Sequence, residues 1–103
     1  MTKTEVTVAR VYIHEGKKQV EALLKRLHDW EKVRGVTVFR GVAGYGDSGE
    51  VHTGKLVDLS LDLPVVVEFF DEPAKMDAIV EHLNTEIKPG HILTWSAWIN
   101  NSE

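Results

Sequence analysis

Hydrophobic spacing along this chain switches between strand and helix repeats twice over, and that order leaves few folds open. "VTVARVYI" (Val6–Ile13) alternates, with Val6, Val8, Arg10 and Tyr12 on one face and Thr7, Ala9, Val11 and Ile13 on the other. Period two with β-branched enrichment defines a strand. From Lys17 to Val33 the apolar residues fall at Val20, Leu23, Leu24, Leu27 and Trp30, the spacing of one buried helical stripe. Gly35 is placed to end that helix. "VTVFRGVAG" (Val36–Gly44) returns to a strand, and "PVVVEFFD" (Pro64–Asp71) is the next, with Pro at the first position, where a strand tolerates it. Met76, Ile79, Val80, Leu83 and Ile87 form the second helical stripe. Asp71 is the expected cap, Pro73 suits the first turn, and "KPG" (Lys88–Gly90) ends the helix. "ILTWSAWI" (Ile92–Ile99) is the last strand, with Trp95 and Trp98 on opposite faces.

Strand, helix, strand, strand, helix, strand is the split β-α-β order of the ferredoxin-like fold. This is an α+β architecture, an antiparallel sheet with two helices on one face. A single domain over 1–103 suits the length. "KLVDLSLDL" (Lys55–Leu63) reads as a short ribbon leading into the third strand. Two helices cover one sheet face only, yet the first strand and "VVVEFF" are apolar on both registers. The second face is therefore expected to be buried by other subunits.

Twelve basic residues against 16 acidic ones give a net charge of −4. That argues against nucleic-acid binding, which needs a basic face. An RNA-recognition module shares this strand order, but its RNP-type pattern is missing. With no cysteine there is no disulfide, thiol nucleophile or Cys-based metal site, as a reducing compartment permits. The N-terminal residues lack an apolar signal segment, and no run approaches the roughly 20 apolar residues that span a bilayer. A cytoplasmic protein without membrane insertion is expected.

"RGVAGYGDSGEVHTGK" (Arg40–Lys55) holds five of the eight glycines, and Gly44, Gly46 and Gly49 spell G-x-G-x-x-G. A dinucleotide fold would need a helix directly afterwards, and "EVHTGKL" has no helical stripe. The G-K-[ST] ending of a P-loop is absent too. Two readings stay open. Backbone N–H groups could converge on an anion, with Arg40, His52 and Lys55 adding charge. Otherwise the glycines serve only a flexible connection.

"FRGVAGYG" (Phe39–Gly46), "HTGKL" (His52–Leu56) and "LSLDLPVVVE" (Leu59–Glu68), with "VYIHE" near the start, resemble the bacterial and archaeal family called domain of unknown function 190. That family is similar to the PII signalling proteins. The resemblance implies ferredoxin-like subunits, a homotrimer, and a long loop between the second and third strands. It also implies an adenine nucleotide, or another small-molecule effector, bound between subunits without chemistry. Ordering of the loop would then present a surface to a regulated partner protein. Carried over by position, the ligand-binding residues are Arg40, Gly41, Gly44, Tyr45 and Gly46, with His52 and Lys55 on the return side. Lys88 and Gly90 lie in the second loop, "KPGHI". Gly41–Gly46 would be the rigid base and Asp47–Glu50 the mobile tip. The final strand lacks the basic residues that PII proteins use on phosphates, which speaks against three-phosphate binding of the PII kind.

Other candidates carry bland readings. His28 and His82 suit solvated helix faces. His14 and His91 both fall at strand ends, a weak metal pair. Ser48, Ser60 and Ser96 stand in no nucleophile motif. Glu68, embedded in "VVVEFF", is either a general base in an apolar cavity or, more simply, the partner of a cation such as Arg10. An enzyme using Glu68 or His52 is thus one alternative, and a metal-binding trimer resembling the CutA proteins is another. No catalytic residue, metal ligand or cofactor is assigned.

Overall fold

The computed structural model describes residues 2–13, 17–44, 52–53 and 64–101. The expected order is present: β1 (Thr2–Ile13), α1 (Lys17–Lys25), β2 (Gly35–Arg40), β3 (Ala43–Gly44), β4 (His52–Thr53), β5 (Val65–Asp71), α2 (Pro73–Leu83) and β6 (Ile92–Asn101). Four strands form one sheet in the order β2-β5-β1-β6, every neighbour antiparallel. β1 begins at Thr2 rather than Val6, and its first residues pair with β6 alone. Among the described residues, no helix is long and apolar enough to cross a membrane.

One register of the sheet meets the helices. Ala9, Val11 and Ile13 of β1 and Val67 and Phe69 of β5 pack against Leu23, Leu27, Met76, Ile79 and Leu83. Phe69, Leu27 and Met76 are fully buried, and each such side chain contributes roughly 1.5–3 kcal/mol by leaving water.

The first helical segment departs from a plain α-helix. α1 passes into a π-helical turn over Arg26–Trp30. The Glu31 N–H donates to the Arg26 carbonyl at 2.9 Å, and the Val33 N–H donates to the Leu27 carbonyl at 3.1 Å. A wider turn shifts the phase of every residue after it. Leu27 stays in the core, Trp30 swings out to 79% exposure, and Val33 packs against the core instead. Lys32, at φ 53°, makes the left-handed turn that stops the segment. Gly35 does not end the helix, contrary to the expectation from its position. It opens β2 beneath the Phe70 ring, where a Cβ would sit 2.6 Å from Cε1.

Asp71 is not the cap of α2; Glu72 is, with no side-chain cap bond, and Pro73 follows at the first helical position. Asp71 instead ties three segments together. It accepts from the Glu72 N–H at 2.8 Å, the Arg34 N–H at 3.0 Å and the Lys75 ammonium at 3.0 Å. α2 ends at Leu83, before "KPG", and Ile87 reaches the core from the turns beyond.

Candidate functional site

Most of the candidate loop residues that are described gather at one end of the sheet. Arg40 closes β2 opposite Val65, and Val65 is opposite Ile13. The Gly41 N–H then donates to the Pro64 carbonyl at 2.7 Å. A Cβ on Gly41 would lie 2.8 Å from Pro64 Cγ, so close backbone approach accounts for this glycine. The chain continues into a separate two-stranded ribbon, in which Ala43 is opposite Thr53 and Gly44 opposite His52. The expected strand Val36–Gly44 is therefore two elements, broken at Gly41. His52 does stand on the return side, paired with Gly44 across the ribbon. Tyr45, Gly46 and Lys55, the tip Asp47–Glu50 and the ribbon Lys55–Leu63 lie outside the described residues.

Across the same end, Lys88, Pro89, Gly90 and His91 form a tight turn. The His91 N–H donates to the Lys88 carbonyl at 3.1 Å, and Gly90 has φ 85°. Pro at the second position and a left-handed glycine at the third make this a type II turn. The His91 carbonyl then accepts from the Tyr12 N–H at 2.9 Å, docking the turn on β1. A cavity of about 240 Å³ opens here, lined in part by Tyr12, Gln19, Glu86, Lys88 and His91. Arg40 and Lys88 do not meet within one chain. They flank opposite outer strands, with β5 and β1 between them, a separation of about 14 Å at the usual strand spacing.

The sheet face away from the helices is the second notable surface. Its register brings together Val8, Tyr12, Val66 and Phe70 with Phe39, Leu93, Trp95 and Ile99. Phe39, Leu93 and Trp95 are 47%, 46% and 39% exposed. Glu68 lies in the middle, and its carboxylate accepts from Arg10 Nε at 2.6 Å. That is the expected pairing. It engages Glu68 on an open sheet face rather than in a sealed cavity, against the reading of Glu68 as a general base. The Arg10 guanidinium lies 5.4 Å from the Trp95 ring, within cation–π range. Its hydrogen bonds to Glu68 and then Tyr12 hold it above its ordinary pKa, outweighing burial. Alternation already puts Tyr12 on the face of Arg10; that Trp95 would flank Arg10 from β6 was not legible, since spacing does not encode strand order.

The histidines are spread among local polar contacts. His28 Nδ1 is 2.8 Å from Asp29, and His82 Nδ1 is 3.1 Å from Glu31. Glu31 also meets Arg26, which reaches Glu86 at 2.7 Å, so this network fastens the π turn to α2. Among the described residues, no group of three His, Cys, Asp or Glu side chains could hold a metal ion. His14 lies outside them.

Two helices on one face of a β2-β5-β1-β6 sheet, with a ribbon between the second and third sheet strands, make a ferredoxin-like fold of the PII-like kind. CPII from Thiomonas intermedia K12, bound to ADP and bicarbonate, shares this fold at a TM-score of 0.70 and 16% identity, covering 97% of this chain and 93% of its own. CutA1 from Oryza sativa gives 0.63 at 16% identity over 96% of this chain and 84% of its own. A putative PII-like signaling protein from Thermus thermophilus gives 0.64 at 15% identity, covering 96% and 93%. The chain belongs to the domain of unknown function 190 family, described as "Uncharacterized ACR", whose model matches residues 2–99. A UPF0166 protein of Aquifex aeolicus is 43% identical over 77 residues, which is 75% of this chain and 69% of the relative. Its counterpart in Methanocaldococcus jannaschii is 30% identical over 89 residues, 79% and 78% of the two.

Proposed function

We propose that this protein is a homotrimeric, cytoplasmic small-molecule sensor of the PII kind, with an adenine nucleotide as its effector. The observation that carries the reading is the sheet end. There the glycine-bearing ribbon leaves β2 and the Lys88–His91 turn enters β6, beside a cavity of about 240 Å³. The separation of Arg40 from Lys88 within one chain supports a site shared between neighbouring chains. The ADP held by the Thiomonas protein makes adenine nucleotides the first class to test. Binding would order the Gly41–Gly54 segment and so present or hide a surface for a regulated partner. That is a population shift driven by differential affinity, without bond-making. Engagement of Glu68 by Arg10 supports a binding protein over an enzyme.

Calorimetry with ATP, ADP, AMP and cyclic dinucleotides tests the reading. Saturable heat with an adenine nucleotide, weakened in Lys88→Ala, is the expected result. Absence of heat from all of them would overturn it.

A further inference from the structure

On the open face, Arg10 and Glu68 are the only charged residues among the described strand positions of that register. They adjoin one another across β1 and β5 at 2.6 Å, with side chains 41% and 27% exposed. Leu93 is opposite Arg10 on β6, and Trp95, opposite Val8, reaches Arg10 diagonally, its ring 5.4 Å from the guanidinium. Apolar residues lie on both sides of the ion pair: Val8 and Phe70 on one side, Val66 and Phe39 on the other.

Such a pair is poorly suited to a purely apolar partner. Covering it with hydrocarbon would strip water from two charges whose other hydrogen-bonding positions would stay empty. One cation beside one anion is, however, self-complementary: a rotated copy can bring a carboxylate toward Arg10 and a guanidinium toward Glu68. Stacking on Trp95 holds Arg10 in place beforehand, which lowers the ordering cost of association. Buried pairs of this kind add little net affinity against apolar replacements but select partner and register.

We propose that the Arg10–Glu68 pair, braced by Trp95, is the element by which this sheet face selects a second copy of its own chain. The inference rests on the oligomer proposed above and assigns the residues that determine its partner.

The test uses Arg10→Glu, Glu68→Arg and the swapped double variant, with mass followed by sedimentation across concentration and folding followed by circular dichroism. Each single reversal places two like charges on the face and is expected to weaken self-association by about 100-fold. Mixing the two singles in equal amounts restores assembly only in part, because a ring of three drawn from two variants keeps one like-charged contact, and the swapped variant assembles as the wild type does. Singles that assemble unchanged would overturn the inference while leaving the oligomer intact. A monomeric wild type would overturn both. If the singles do not fold, Arg10→Met/Glu68→Leu decides. Assemblies of mixed size are then expected, and one species of wild-type size overturns the inference.

Discussion

Asp71 shows how a residue can carry a legible signal and a different role. An Asp before a Pro-led helix suggests a cap, yet its oxygens go to Glu72, Arg34 and Lys75. Burial raises its pKa, but the Glu72 N–H, the Lys75 ammonium and the Arg34 N–H outweigh that and hold it below the ordinary carboxylate value. Its contribution to stability is therefore complete above the unfolded value near pH 4 and is lost as pH falls through the lower folded value. Asp71→Asn should cost about 1–2 kcal/mol near neutrality. The gap from wild type should narrow below about pH 4 in urea melts run at several pH values. Two candidate ligand residues have structural reasons of their own. Gly41→Ala pushes a Cβ into Pro64, and Gly90→Ala strains a left-handed turn. Gly90→Ala should cost about 1 kcal/mol and Gly90→Asn less, because Asn tolerates that conformation. Thermal melts of the two variants check the ordering.

At the scale of elements, periodicity disclosed the strands and helices because each buries one face against the other. What it could not disclose was phase. The extra residue of the π turn puts Trp30 in water although its spacing fits the stripe, and Val33 takes the place at the core. Leu27→Ala should therefore cost about 2–5 kcal/mol, whereas Trp30→Ala should stay within about 0.5 kcal/mol. Equal losses in denaturant titrations would mean that the turn is an ordinary α-helical one. The candidate site was legible to a similar depth. Chain order put the glycine ribbon and the Lys88–His91 turn at one end of the sheet. Strand order, which sequence spacing does not encode, set them on opposite edges.

Across the whole molecule, one sheet face is sealed by helices and the other is apolar with the Arg10–Glu68 ion pair at its centre. A chain of 103 residues leaves this much apolar surface open only at a cost in solubility. The proposed assembly of copies would remove that cost and would set the edges of neighbouring sheets side by side, as the shared site proposed above requires. Native mass spectrometry of the wild-type chain with and without ADP reads assembly and binding in the same spectrum. The expected species is three chains that gain nucleotide adducts. A spectrum of single chains, or of assemblies that never take up nucleotide, contradicts the shared-site sensor.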